Sequence, residues 1–459
     1  MFETLVSKED PVGRSNTSRR GPLPAPEAQF SETTLTQYAG AVPMLRFFNE
    51  SLEIPQQLGV AVPAEGRRRK YPVHHVLYAF LVGALLGIEK LAHLEWVRGD
   101  CVVEKFLRLA AWPVRKVFSQ ALSSVSNAGL AAISEMLTAL GLRSIAGRTT
   151  AIVDADSSAL VCFGTQEGAE FGYCGKGRNR RRHHPLVASV AETRAVVHSI
   201  YRDGSAIDAN EAIAFLGEAV ARVRKTVTGL VSLRADSGFW SRAMGVWLLA
   251  EGIPFAFAMP LYPSLKLLLT RVSFSQVDAD DPDIEIGKLG GAAFEYDPRL
   301  RIVVVRRRVH DDAAPPPGKV VEWSPAWRYQ AIVTSMDWDP VDVWRFYNDR
   351  GDAERVFKTG KHGLGLGWLV SHDFRANTVA FLLRLIAYNA DLLFHQAAER
   401  HAVAAKRPVH RAALQARQHY FYKLAGRLLR AHNRWILRLP ANDRVAAMWA
   451  FYDFLPATG

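Results

Sequence analysis

The sequence predicts an α/β fold: a mixed sheet with helices packed on it, interrupted by a β-rich insertion and flanked by helical N- and C-terminal regions. Three observations lead there. From about residue 33 to 142, apolar residues recur at three- and four-residue spacing with no strand alternation. At "RTTAIVDADSSALVCFG" the texture changes to β-branched and alternating residues, the mark of a strand. Beyond residue 254, short β-rich runs separated by Pro, Gly and Asp break the rhythm, and helical periodicity returns at "DWDPVDVW".

The elements follow in order. Residues 1–30, rich in Pro, Ser and Gly, predict a disordered leader that lacks the apolar core of a signal peptide. Residues 31–145 predict a helical region holding a basic loop with Arg67, Arg68 and Arg69. Residues 146–253 predict the first part of the core: the strand just quoted, strands in "HPLVASVAE" and "RAVVHSIYRDG", a helix over 210–224, the strand "GLVSLRAD" and a helix over 241–251. Residues 254–335 predict the β-rich insertion, from "FAFAMPL" to "RYQAIVTS". Residues 336–400 return to the core; Asp339 can cap the first helical turn, with Pro340 in the position after the cap. Residues 401–459 predict a basic helical region in which Arg427, Arg430, Arg434 and Arg438 recur at three- and four-residue spacing.

The apolar stretches "VHHVLYAFLVGALLGI" and "VAFLLRLIAYNADLLF" are each short of a membrane span. The second carries Arg384, Asn389 and Asp391, so both predict buried helices. A net charge of +12 favours a polyanionic partner, nucleic acid ahead of an anionic membrane. The residues from 401 onward hold ten Lys or Arg against two acids. Cys101, Cys162 and Cys174 are too few for a disulfide framework or a zinc site, which points to a reducing, cytoplasmic setting.

The acids carry the chemistry. Strand alternation places Asp154 and Asp156 on one face, where carboxylates are costly unless paired or metal-bound. Asp236 closes another strand, at the lip where open α/β sheets hold ligands. Glu354 comes from a later helix. Three such carboxylates suit two divalent cations about 3.5–4 Å apart, and oxygen ligands favour magnesium, with manganese able to substitute. Tyr347, Arg350, Glu354 and Lys361 fall within an arc of roughly 60° on a helix. That arc is either a surface ion-pair cluster or a metal ligand ringed by phosphate-binding side chains. No Walker loop, GxSxG elbow or HExxH helix is present. The densest basic run holds Lys176, Arg178, Arg180, Arg181 and Arg182. It reads as a DNA-backbone contact or as a solvated hairpin tip, with His183 and His184 as strand-edge or phosphate neighbours.

In "YNDRGDAERVFKTGK", Tyr347, Arg350, Glu354 and Lys361 stand at fixed spacing; "DADSS" and "RADSGFW" surround the two strand-end acids. With "FGYCGKGRNRRRHHPLVASVAET", "WRYQAIVTS" and "FRANTVAFLLRLIAYN", these segments make the chain resemble bacterial DDE transposases of the insertion sequence 1380 group, relatives of insertion sequence 4 and of piggyBac. The resemblance covers roughly residues 33–438. It implies a ribonuclease-H-like core with Asp156, Asp236 and Glu354 as catalytic metal ligands, Asp156 being preferred to Asp154 because it precedes a serine. It implies two magnesium ions, binding to terminal inverted repeats, hydrolysis at the transposon end, a hairpin step, and transfer of the 3′-hydroxyl to target DNA by a homodimer on DNA. Tyr347, Arg350 and Lys361 then grip phosphates, the helical N-terminal region helps to recognise DNA, and Arg430 and Arg434 track a backbone. Trp323 and Trp327 either stack on a flipped base or pack in the core. A magnesium-dependent nuclease without strand transfer, and a non-catalytic DNA-binding protein, are the competing readings. The expected setting is the bacterial cytoplasm, at the nucleoid.

Overall fold

The computed structural model describes residues 32–63, 70–109, 111–175, 178–278, 281–290, 297–309, 327–432 and 434–456. The leader, Arg67, Arg68, Arg69, Lys176 and Trp323 lie outside the described residues.

A two-residue strand, β1 (Leu35–Thr36), precedes helices α1 (Val42–Glu50), α2 (Ile54–Ala61), α3 (Val73–Leu85), α4 (Cys101–Phe106), α5 (Arg115–Ser123) and α6 (Asn127–Arg143). Next come β2 (Ala151–Ser157), β3 (Leu160–Val161), β4 (Glu170–Tyr173), β5 (Asn179–His183), β6 (Leu186–Val190) and β7 (Val196–Ile200). Then follow α7 (Ala209–Arg224), β8 (Val231–Ala235), α8 (Arg242–Ala250), β9 (Phe255–Met259) and α9 (Pro263–Leu269). The β-rich stretch supplies β10 (Ser275–Asp278), β11 (Asp281–Leu289), β12 (Arg301–Arg308) and β13 (Trp327–Thr334). The chain closes with α10 (Pro340–Asn348), α11 (Gly351–Gly363), α12 (Phe374–Ala404), α13 (Leu414–Arg417), β14 (Gly426–Ala431), β15 (Arg434–Arg438) and α14 (Asp443–Tyr452).

The main sheet runs β10-β11-β12-β13-β9-β8-β2-β6-β7. Within it β2, β6 and β7 are antiparallel neighbours, and β8 and β9 add in parallel beyond β2. This is the ribonuclease-H-like order. β9, from "FAFAM", is its fifth strand and is apolar on both faces, as a strand covered on both sides must be. The strands β13 to β10 continue the same sheet antiparallel from β9.

Side chains on the two faces differ in kind. Val153, Ala155, Leu233 and Ala235 join one apolar core with Phe215 and Leu216 of α7 and Met244 and Leu248 of α8. Ala256, Val303, Val305 and Ile332 meet Val343 and Tyr347 of α10 on the other face. Alternation therefore turns Asp154, Asp156 and Arg234 toward α10 and α11. The helices start where their caps dictate: Asp208 accepts from Glu211 N at 2.8 Å, Ser241 from Met244 N at 3.1 Å, and Asp339 from Val341 N at 2.9 Å.

α12 is a core helix, and its most apolar window is 89% buried by protein. Its polar residues have fixed duties. Asn389 accepts from Val196 N at 2.9 Å and donates to Val196 O at 2.7 Å, satisfying the outer edge of β7. Arg384 donates to the carbonyls of Trp368 and Glu89. Asp391 accepts from the Tyr422 hydroxyl at 2.6 Å and pairs with Arg417.

One helical expectation fails. Arg427, Arg430, Arg434 and Arg438 lie on the β14–β15 hairpin, whose first strand pairs with β1. Arginine spacing alone did not distinguish helix from hairpin, whereas the apolar Leu428 and Leu437 pair across the two strands. His432 takes a left-handed φ of 54° in the turn between them. Arg430 stands opposite Trp435, on the other side of the ribbon from Arg427, Arg434 and Arg438.

Candidate active site

Parallel pairing sets the site. Ala155 on β2 is in register with Ala235 on β8, so the next residue on each strand is an aspartate, Asp156 and Asp236. One register step earlier, Asp154 faces Arg234. Arg234 grips Asp154 with two hydrogen bonds, Nε to Oδ1 at 2.6 Å and Nη2 to Oδ2 at 2.8 Å, and both side chains are fully buried. The remaining Arg234 donor reaches Phe346 O at 2.6 Å, with the guanidinium 5.1 Å from that ring. The buried pair thus bolts β2 and β8 to α10. Asp154 is therefore paired rather than metal-bound in the sheet, and the sequence gives little notice of its partner, Arg234. The available signal was a lone arginine inside the apolar run "VSLRAD", on the same face as Asp236.

The helix carrying the signature breaks where Tyr347 and Arg350 stand. α10 ends at Asn348, α11 begins at Gly351, and Arg350 occupies the cap between them. At this break Arg350 stands beside the first acid, with Nη1 3.7 Å from Asp156 Oδ1. Its guanidinium lies 5.7 Å from the buried Tyr347 ring. Burial opposes the Arg350 cation, yet Tyr347, Asp156 and Asp236 together hold its pKa above the ordinary guanidinium value.

Lys361, near the end of α11, reaches back to the loop after β2. Its Nζ donates to Ser158 Oγ at 2.6 Å and contacts Ala159 O at 3.4 Å. Burial pulls this ammonium below its usual pKa, while Asp156 and Cys174 resist the shift. Asp236 Oδ1 accepts from Gly238 N at 2.9 Å, which fixes the turn into α8. A Cβ at Gly238 would stand 3.1 Å from that same oxygen, so the turn favours glycine. Asp156, Asp236, Tyr347, Arg350 and Lys361 are therefore brought together. α11 packs on β2 and carries Glu354, whose side chain lies outside the described residues.

No group of three His, Cys, Asp or Glu side chains suited to a metal occurs among the described residues. The described donors are two carboxylates, each one residue past the registered pair Ala155 and Ala235, and both favour the charged form of Arg350. Such hard oxygen donors fit a divalent cation of the magnesium type. The lip is open. A cavity of about 600 Å³ lies elsewhere, between Trp96, Arg98, Arg427 and Arg438, and contains none of these acids.

The basic run divides. Arg178, Arg180 and Arg181 are exposed at β5 or the turn before it. Arg182 is buried and donates to the Tyr173 and Gly204 carbonyls, so it is a structural residue and cannot face DNA. His183 is likewise no phosphate neighbour: it is fully buried, with Nδ1 2.6 Å from the Tyr201 hydroxyl and Nε2 2.9 Å from Glu167 O. Burial, with Arg182 and Arg202 close by, pushes His184 down to about 4. Trp327 is half-buried on β13, with the Arg306 and Arg308 guanidinium groups 4.3 and 4.9 Å from its ring.

Two aspartates at the ends of adjacent parallel strands of a ribonuclease-H-like sheet, beside a broken basic helix, suit metal-assisted phosphoryl transfer. A family model described as the transposase DDE domain, group 1, matches residues 26–451, and the chain belongs to that family. Its members are DNA-cleaving and DNA-transferring enzymes that generally use divalent metal ions. Among solved structures, the chain is similar to one in a cryo-EM structure of the piggyBac transposase synaptic complex with hairpin DNA. The identity is 12% and the TM-score 0.44, over 84% of this chain and 79% of that one. No curated protein matches the sequence.

Proposed function

We propose that this DDE transposase moves a bacterial insertion sequence of the 1380 group by a cut-and-paste route. The observation that carries the reading is the placement of Asp156 and Asp236 one residue past the registered pair Ala155 and Ala235, with Arg350, at the break between α10 and α11, 3.7 Å from Asp156 and held charged by both acids. Asp156 and Asp236 would hold magnesium together with Glu354. When bound, magnesium supplies positive charge that activates a water or 3′-hydroxyl and stabilises the leaving oxygen.

The chain's own residues do the positioning. Arg350 presents a planar guanidinium to a phosphate beside the cleaved bond, and Lys361 offers a point charge from the other end of α11. Ser158 holds the Lys361 ammonium in place. Water oxygen attacks phosphorus, the bond to the 3′ oxygen breaks, and a 3′-hydroxyl is left on the transposon end. That hydroxyl then attacks a target phosphodiester, forming one P–O bond as another breaks. Two ends must be joined, so the chain works as a homodimer on DNA. The helical N-terminal region helps to bind the terminal inverted repeat, in the cytoplasm at the nucleoid.

The test is incubation of the protein and magnesium with a labelled transposon end and a plasmid target. Cut ends and strand-transfer products are expected. Cut ends alone identify a nuclease. DNA binding without any cleavage, unchanged by Asp156→Ala, Asp236→Ala and Glu354→Ala, identifies a non-catalytic DNA-binding protein.

A further inference from the structure

The small β3-β5-β4 sheet carries aromatic side chains that no core uses. β4 and β5 pair with Phe171 opposite Arg181 and Tyr173 opposite Asn179, so these four residues share one side. Phe171 is 70% exposed and Tyr173 49%. The Arg181 guanidinium lies 5.2 Å from the Phe171 ring. Exposed rings cost free energy in water unless something covers them.

On the other side of this ribbon Glu170 and Arg180 are exposed while Arg182 is buried. A Cβ at Gly172 would come within 2.4 Å of Arg182 Nε, so the glycine makes room for that guanidinium. Arg182 in turn donates to Tyr173 O across the strand pair. Its packing fixes β4 on β5 and holds Phe171 and Tyr173 outward. Cys174, directly after Tyr173, acts electrostatically on Lys361, whose Nζ donates to Ser158 Oγ at 2.6 Å, two residues past Asp156.

We propose that Phe171 and Tyr173 form a stacking platform for unpaired bases of the DNA strand passing Asp156 and Asp236, with Arg181 taking an adjacent phosphate. The inference rests on the DNA-cleaving reading above. Flat rings interleaved with a guanidinium suit a ligand with π-faces and regular negative charge, which a single DNA strand supplies. The four residues of this side include no acid that would repel it.

The test compares binding of a labelled oligo(dT) strand of about 20 nucleotides with a duplex of equal length, by fluorescence anisotropy without metal. The double variant Phe171→Ala/Tyr173→Ala is expected to lose about tenfold or more in single-strand affinity. Its duplex affinity should stay within about twofold, and Phe171→Trp/Tyr173→Trp should keep both. Both rings are exposed, so an unchanged melting temperature checks the fold. Equal losses on the two DNA forms, or no loss on the single strand, overturn the platform. An Ala variant that dissociates from its own kind yet still binds the strand also overturns it, in favour of a protein interface. Wild-type cleavage of a transposon end separates the two failures: its absence sinks the DNA-cleaving reading, whereas its presence beside an indifferent Ala variant sinks the platform alone.

Discussion

Two aspartates on β2, two residues apart, each meet an arginine, and the two pairs are built to opposite ends. Asp154 and Arg234 are joined by hydrogen bonds of 2.6 and 2.8 Å, closed off from water. Asp156 and Arg350 approach to 3.7 Å, with side chains 14% and 11% exposed. The sealed pair spends its charge on holding β2, β8 and α10 together. The longer pair is an electrostatic contact at the end of the strand, beyond hydrogen-bond distance. The same two residue types thus form a sealed pair in one register and, under the proposed function, a phosphate- and metal-binding pair in the next.

Breaking each pair should give opposite phenotypes. Asp156→Asn and Glu354→Gln are each expected to lower cleavage by about a thousandfold or more, on the order of 4 kcal/mol of barrier. End binding and melting temperature should stay near wild type. A variant that cleaves at the wild-type rate removes its residue from the catalytic set. Asp154→Ala should instead unfold the protein more readily, by about 3–5 kcal/mol in urea denaturation, because Arg234 is left buried without its counter-charge. A loss under about 1 kcal/mol would show that the sealed pair does not hold the sheet.

Acidity probes the stretch after β5. The folded pKa of His184, about 4, lies below the usual value of 6.5, so the folded state prefers the neutral ring. Its contribution is complete above pH 6.5 and fades as pH falls through 4. Discounted for partial exposure, it amounts to about 1–2 kcal/mol. The variant His184→Gln should flatten the stability profile across that window, and an unaltered profile contradicts the assignment. The smallest effect concerns the hairpin. Arg434→Ala, on the side shared with Arg427 and Arg438, should weaken binding to every DNA sequence and reduce the salt slope by about one. Arg430→Ala, beside Trp435 on the opposite side, should change it less. Equal slopes for both variants and wild type remove the hairpin from the DNA surface.

Much of this arrangement was legible because period and burial agree there. Alternation in "IVDADSS" set both acids on one face, and Asp339 with Pro340 marked the start of α10. Arg384, Asn389 and Asp391 marked α12 as a helix buried in protein. The hairpin was not legible, since arginines at positions 427, 430, 434 and 438 fit a helix as well as they fit two strands. Arg182 and His183 misled for a related reason. A run of like charges reads as solvated, and only tertiary packing on the Gly204 and Glu167 carbonyls turns two of its members inward. The Arg234–Asp154 pair depends on parallel register between strands far apart in the chain, which no local pattern encodes.

Under the proposed function, Asp156, Asp236 and Glu354 hold divalent cations. Diffraction from crystals of the protein with transposon-end DNA and manganese, measured at the manganese absorption edge, tests it directly. The account predicts anomalous peaks within coordination distance of the Asp156 and Asp236 carboxylates, with Glu354 completing the set. Peaks bound elsewhere, with those three carboxylates left uncoordinated, would contradict it.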